Sequence, residues 1–174
     1  EQILPYVNGS SIEGGRVTGV PEFSSDMIFV TCVYGSLDYQ RSQFFKGDLR
    51  WKWEGVCHEY CSSHKMKTTQ RLIDICNIPQ KDGSRSKDPH KYKKDALLFE
   101  QDLMNNNKNG RSWFYLAQSY ADDDAPHKAL EPLENAIKFS KWGEERCVAY
   151  LRKAQYKQRV GIKFEDTLSD YLSS

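Results

Sequence analysis

The distribution of hydrophobic residues changes character near the middle of the chain. In the first half, DMIFVTCVYG (residues 26–35) is rich in β-branched and aromatic side chains and ends at glycine, which predicts a buried strand. The segment LDYQRSQFF (residues 37–45) alternates in polarity and predicts a neighbouring strand. A third strand is expected over WKWEGV (residues 51–56), running directly into His58. The first 22 residues contain several glycines and are expected to be a loop or a frayed segment.

Beyond the polar segment KDGSRSKDP, apolar residues recur at the spacing of an α-helix. Asp88 is placed to be an N-cap with Pro89 at the first helical position, and this helix is expected to end near residue 105. Further helices are predicted over residues 111–121, 125–140, 144–160 and 164–172. The pattern therefore predicts a strand-rich part, residues 1–82, followed by an all-helical part, residues 83–174.

Composition narrows the class of protein. Hydrophobic residues make up 39% and the net charge is +1, so a packed core is possible and no global charge favours nucleic acid or a membrane surface. We find no apolar run of transmembrane length and recognise no signal peptide at the start. The five cysteines are odd in number and do not resemble a disulfide framework, so a reduced, cytoplasmic location is expected.

The second and third predicted helices carry large and small residues in a repeat-like order. The positions concerned are Trp113, Leu116, Ala117, Tyr120, Ala129, Leu133 and Ala136. Their order is similar to that of a tetratricopeptide unit, in which small residues at 117 and 129 let two antiparallel helices approach closely. Such helices also offer a surface on which a partner protein could bind.

The segment WKWEGVCHEYCSSH combines several side chains that are able to bind a metal. The candidate zinc ligands are Cys57, Cys61, His64 and Cys76. Their C-x3-C-x2-H spacing is not that of a common zinc finger or ribbon. On the predicted strand, Cys57 and His58 would also point to opposite faces. We therefore expect the cysteines to be packing residues, with a structural zinc site as the alternative.

Three segments resemble one known arrangement when they are taken in order. They are YGSLDYQRSQFFKGDLRWKWEGVCHEY (residues 34–60), GSRSKDPHKYKKDALLFEQDL (residues 83–103) and RSWFYLAQSYADDDAPHKALE (residues 111–131). Together they are similar to the C-terminal portion of family 2 glycosyltransferases that carry a tetratricopeptide-like helical extension. The resemblance implies a partial GT-A, Rossmann-like α/β domain over residues 1–82 and a tetratricopeptide-like region over residues 83–174. It also implies metal-assisted transfer of a sugar from a nucleotide-sugar donor to a glycan or protein acceptor.

The resemblance also assigns candidate site residues. His58, in WEGVCHE, matches the histidine near the end of the family's domain that completes the coordination of a divalent cation. Imidazole is an acceptable ligand for manganese. Magnesium is the other candidate cation. Glu59 is the candidate for the catalytic site, where it would orient His58 or position the acceptor. The alternative is that Glu59 simply faces solvent. Arg85, Ser86 and Lys87 match the loop that covers the donor phosphates, where arginine makes charge-assisted bonds. The alternatives are a hydrogen-bonded histidine at a strand end and a solvated basic loop.

One motif of the family has no counterpart in a suitable position. The only Asp-x-Asp spelling is Asp122-Asp123-Asp124, which is expected to be a solvent-facing turn between two helices. The half of the domain that would carry the aspartate pair is not found in these residues. We therefore expect either a truncated or divergent descendant of the family or an enzyme whose other half belongs to another polypeptide. A second hypothesis, of a different class, is a non-catalytic interaction module whose helices present a groove to a partner peptide. The missing pair favours this module, whereas the WEGVCHE and GSRSKDP motifs favour the enzyme.

Overall fold

The computed structural model of the protein describes residues 11–13, 16–18, 24–78 and 84–174. The chain divides into two compact units. The first unit is formed by Glu1–Glu54 and Glu59–Gly83, and the second by Gly55–His58 and Ser84–Ser174. Each unit is described separately below.

The first unit is built from β-strands. The strands are β1 (Ser11–Glu13), β2 (Arg16–Thr18), β3 (Met27–Tyr34), β4 (Leu37–Phe45), β5 (Lys52–Glu54), β6 (Tyr60–Ser62) and β7 (Thr69–Asn77). Strand β3 is central in a mixed three-stranded sheet, where it pairs antiparallel with β4 and parallel with β7. Two further antiparallel pairs are formed by β1 with β2 and by β5 with β6.

Alternation along β3 explains where the core of the first unit lies. Ile28, Val30 and Cys32 are 1%, 2% and 0% exposed, as expected for one face of a strand. Leu72 from β7 and Phe44 from β4 pack on this face. The two strands predicted over residues 26–35 and 37–45 are thereby confirmed.

Two predictions in the first half need correction. The third strand ends at Glu54 instead of residue 56, because Gly55 and His58 have φ angles of 107° and 52°, which interrupt an extended backbone. His58 therefore lies in the loop between β5 and β6 and not at the end of a strand. The first 22 residues are not all loop, since β1 and β2 form within them; the rest of that prediction falls outside the described residues.

The second unit is helical. Its helices are α1 (Lys91–Asn105), α2 (Gly110–Asp122), α3 (Pro126–Phe139), α4 (Gly143–Arg159) and α5 (Leu168–Leu172), with 3-10 helices at Ser84–Lys87 and Phe164–Thr167. A mixed sheet in the N-terminal half followed by helices in the C-terminal half agrees with the predicted order. Helix α2 begins where the side chain of Asn109 accepts a hydrogen bond from the backbone N–H of Ser112.

Helix α1 begins later than predicted. Its first residue is Lys91, and the N-cap position is occupied by His90 without a side-chain cap. Asp88 instead accepts hydrogen bonds from the His90 backbone N–H at 2.9 Å and from the Lys94 Nζ at 2.6 Å. The prediction that Asp88 caps the helix directly is therefore wrong, although Asp88 does order the turn that leads into it.

Small residues allow α2 and α3 to pack closely, as predicted. Ala117, Ala129 and Leu133 are all 0% exposed, and Trp113 and Tyr120 pack against this core while remaining partly exposed. Close packing of this kind leaves no room for larger side chains at the two alanines.

The acidic segment that ends α2 and forms the following turn faces solvent, as predicted. Asp122, Asp123 and Asp124 are all exposed. Asp124 adopts a φ of 57°, and its carboxylate lies 3.5 Å from the Arg159 guanidinium at the end of α4. The Asp-x-Asp spelling here therefore belongs to a helix-connecting turn.

Candidate functional site

Within the second unit, the loop after β5 lies against the start of α1. The ligand atoms of Cys57, His58 and Asp95 are all within 4.8 Å of one another. In the described part of the chain, no other group of three potential metal ligands comes together. The expectation that Cys57 and His58 point to opposite faces is wrong, because the left-handed backbone of His58 replaces the predicted strand.

Arg85 occupies the space between two of these groups. Its Nη2 atom donates to the Asp95 Oδ1 at 2.5 Å and to the Cys57 Sγ at 3.1 Å. The side chain of Asp95 is only 6% exposed, whereas that of Arg85 is 62% exposed. A buried carboxylate needs a compensating charge, and Arg85 supplies it while part of its guanidinium stays in solvent.

His58 is held by two side chains of α2. Its ring stacks on Tyr115 with a centroid distance of 4.5 Å and an interplanar angle of 11°. The centroid of the buried Phe99 ring lies 6.4 Å from that of His58. Arg111 Nη2 donates to the His58 carbonyl oxygen at 3.0 Å. The residue as a whole remains exposed, although its ring is covered on one side by Tyr115.

Packing and neighbouring charges set the protonation of the two loop residues. Burial lowers the pKa of His58, and the charges of Arg85 and Arg111 add to this effect, whereas Asp95 opposes it. Burial also raises the pKa of the Cys57 thiol, with a further contribution from the Asp95 carboxylate. At neutral pH we therefore expect a neutral imidazole, the form that binds metals, beside a protonated thiol.

These contacts decide which residues fit a divalent cation. Cys57 and Asp95 already accept hydrogen bonds from Arg85, so a cation would have to compete with a bound guanidinium for both of them. Of the three residues, His58 is therefore the one that fits as a single ligand. The Asp95 charge attracts a cation there, whereas the charges of Arg85 and Arg111 oppose it. A cation held by His58 would need its other ligands from a bound diphosphate, from water or from outside these residues.

The two predicted motifs meet in this unit. His58 and Arg85 both lie next to Asp95, and Ser86 and Lys87 are exposed in the same 3-10 turn as Arg85. Glu59 follows His58 directly, has an exposed side chain and belongs to the first unit, so its role as the catalytic candidate stays a prediction.

The candidate zinc ligands have different surroundings. Cys57 contacts Arg85, Cys61 is 8% exposed, and both His64 and Cys76 are exposed. Cys61 thus behaves as the predicted packing residue. Cys57 differs from Cys61, because its sulfur accepts a hydrogen bond from the charged side chain of Arg85.

Three residues of the site were not predicted from the sequence. Asp95 lies among the apolar positions of α1, three residues after Tyr92 and four before Phe99, and a carboxylate on such a face could have indicated a buried ionic contact. Arg111 and Tyr115 are four residues apart on α2, a spacing that places both on one helix face. The contacts of Arg111 and Tyr115 with His58 become visible only in the folded chain.

A separate groove of about 530 Å³ lies among α1, α2 and α3. Its apolar lining is formed by Leu103, Met104, Trp113, Leu116, Tyr120 and Pro132, and its charged residues are Glu100, Lys128 and Glu131. The Tyr120 hydroxyl donates to the Glu100 carboxylate, and burial together with this bond raises the pKa of Tyr120 to about 12. The groove therefore combines an apolar lining with a mainly acidic set of charges.

Other features of the chain bear on function only in general terms. The five cysteines are free thiols. In the ranges that the structure describes, no helix has the length and apolarity needed to cross a membrane. When the sequence is compared with protein-family models and with curated proteins, neither comparison gives a match.

Proposed function

We propose that the chain is part of a metal-assisted glycosyltransferase that moves a sugar from a nucleotide-sugar donor to a glycan or protein acceptor. The observation that carries the proposal is the meeting of His58 and Arg85 beside Asp95, because these residues come from two separate motifs. A partial GT-A domain, a tetratricopeptide-like helical region and a cytoplasmic location belong to the same proposal. The mixed sheet followed by helices and the free thiols support them.

The residues of the second unit have the chemistry that a donor diphosphate needs. The neutral imidazole of His58 would hold the divalent cation, manganese or magnesium. When bound, that cation would supply positive charge to offset the charge that develops on the leaving diphosphate. Arg85 is fixed at one end by Asp95, and its exposed N–H groups can donate to phosphate oxygens. Lys87, exposed in the same turn, adds positive charge, and the hydroxyl of Ser86 adds a donor.

Replacing His58 with alanine should remove the effect of manganese on nucleotide binding. The parent protein should bind a nucleoside diphosphate, such as UDP or GDP, at about millimolar affinity in the presence of manganese, which is about −4 kcal/mol. The His58→Ala variant should show the same weak binding with and without manganese, because it lacks the imidazole ligand. NMR titration of each protein with the nucleotide, in manganese and in a metal-free buffer, measures this difference.

His127→Ala is the matched control, because His127 is an exposed histidine on α3 of the same unit. It should retain the full effect of manganese. Parent protein that binds no nucleotide in manganese, even when a separately expressed aspartate-pair domain is added, would overturn the glycosyltransferase proposal.

Replacing Arg85 with lysine should weaken diphosphate binding by about 1.5 kcal/mol, the value of one hydrogen bond to a charged group. Lysine keeps a positive charge near Asp95 but loses the planar fork that binds phosphate oxygens in pairs. The same titration with inorganic pyrophosphate measures the loss without a contribution from the base. Equal pyrophosphate affinity in the parent and in Arg85→Lys would exclude Arg85 from the donor site.

The groove among the helices supports a second candidate function, a module that binds a partner peptide. Its apolar lining and its two glutamates against one lysine favour a segment with an apolar anchor and a basic residue. The nucleotide titration separates the two candidates, because a module of this kind requires neither manganese nor diphosphate. Peptide binding that is lost in Met104→Glu, within the groove, and kept in His58→Ala would favour the module.

A further inference from the structure

One face of α2 holds both the backbone and the ring of His58. Arg111 donates to the His58 carbonyl oxygen at 3.0 Å, while Tyr115, four residues later, stacks on the imidazole at 4.5 Å. The Arg111 guanidinium carbon also lies 4.8 Å from the centroid of the Tyr115 ring, within the range of a cation–π contact. The two side chains therefore support each other as well as His58.

This support matters because His58 has an unfavourable backbone conformation. Its φ of 52° lies in the left-handed region, where a residue with a Cβ atom is disfavoured. Such a conformation persists only when neighbouring groups stabilise it. If the bond from Arg111 to the carbonyl oxygen were absent, the loop could return to a negative φ, which would turn the imidazole away from Tyr115.

We propose that Arg111 is a positioning residue, which keeps His58 in the left-handed conformation so that its imidazole is already oriented to bind a divalent cation. This inference rests on the proposed function, since it assumes that His58 is a metal ligand. It does not require Arg111 to touch the cation or the diphosphate. The first turn of α2, which carries Arg111, would then help to orient the metal ligand His58.

Replacing Arg111 with methionine should change the ring resonances of His58 in the free protein. In the parent, the stacked Tyr115 ring should shift the His58 ring protons upfield, and these signals are identified by their loss in His58→Ala. In Arg111→Met they should move back toward the position of an unstacked histidine. Manganese added to the parent should broaden the His58 signals selectively. Arg111→Met should need about tenfold more manganese for equal broadening, because the loss of a residue that orients a metal ligand usually weakens metal binding by at least this factor.

Two further variants make the test specific. Arg111→Lys keeps a charged donor and should restore part of the upfield shift and part of the manganese response. Arg146→Met removes an exposed arginine from α4 and should leave both readouts as in the parent. The signals of the other three histidines serve as internal references for manganese that binds elsewhere.

The possible outcomes separate this inference from the proposed function. Unchanged His58 shifts in Arg111→Met, with normal manganese broadening, would overturn the positioning role and leave the proposed function standing. Shifts that move while the manganese response stays the same would make Arg111 a purely structural residue, which also overturns the inference. No manganese broadening at His58 in the parent would overturn the proposed function and, with it, the inference.

Discussion

Replacing Gly110 with alanine should destabilise the protein by about 3 kcal/mol, the upper end of the range for overpacking a close contact. Gly110 is the first residue of α2 and is buried, and a Cβ atom there would lie 2.4 Å from the Ser140 backbone nitrogen and 2.7 Å from the Phe139 carbonyl carbon. The obstructing atoms are backbone atoms, and the Ser140 N–H is bonded to the Ala136 carbonyl oxygen at 2.8 Å. Relief therefore requires α2 or the end of α3 to move. Urea unfolding followed by far-UV circular dichroism measures the loss.

Gly143→Ala provides the matched control. Gly143 is also the first residue of a helix, α4, but nothing lies within 4 Å of a Cβ atom added there. This change should be neutral or should stabilise by about 0.4–1 kcal/mol, because alanine restricts the unfolded chain. Equal stabilities for the two variants would mean that α2 does not approach Ser140 as closely as described. Because Gly110 immediately precedes Arg111, a shift at this point should also disturb the support of His58.

The helices could be predicted from the sequence because their signal is local. Apolar residues repeat at helical spacing in each segment, so α2, α3 and α4 were found within one or two residues. Strand β7 was missed because TQRLIDICN mixes polar and apolar residues, with Ile73 82% exposed, and its partner β3 is distant in sequence. The pattern of such a strand does not show which strand it will pair with.

The site could be predicted only in part, for a similar reason. The motifs identified His58 and Arg85 but not the groups that bind them. The contact of Arg85 with Asp95 depends on how a 3-10 turn meets α1, and the contact of Arg111 with His58 joins two segments that are far apart in the chain. The segment WKWEGV predicts a strand through residue 56, whereas the positive φ angles of Gly55 and His58 form a loop. Side chains that meet through tertiary packing leave no periodic signal.

Removing Arg85 should destabilise the protein far more than neutralising its partner Asp95. The pair is asymmetric, because the Asp95 side chain is 6% exposed and that of Arg85 is 62% exposed. Arg85→Met leaves a buried carboxylate without its cation and should reduce the free energy of unfolding by about 2–3 kcal/mol. This loss is smaller than the roughly 3–5 kcal/mol expected when one partner of a fully buried ion pair is removed, because solvent already screens the Arg85 side of this pair. Asp95→Asn leaves only a solvated arginine and should cost less than about 1 kcal/mol. Urea unfolding at pH 7 measures both values.

The double variant Arg85→Met/Asp95→Asn is the control for this asymmetry, because it removes the buried charge together with its partner. It should recover most of the stability that Arg85→Met loses, which a loss of side-chain packing alone would not allow. Equal losses in the two single variants would show that Arg85 does not compensate a buried carboxylate. Arg85 would then be free to move as a lid, and the fixed orientation from which its bond to a donor phosphate is inferred would be lost.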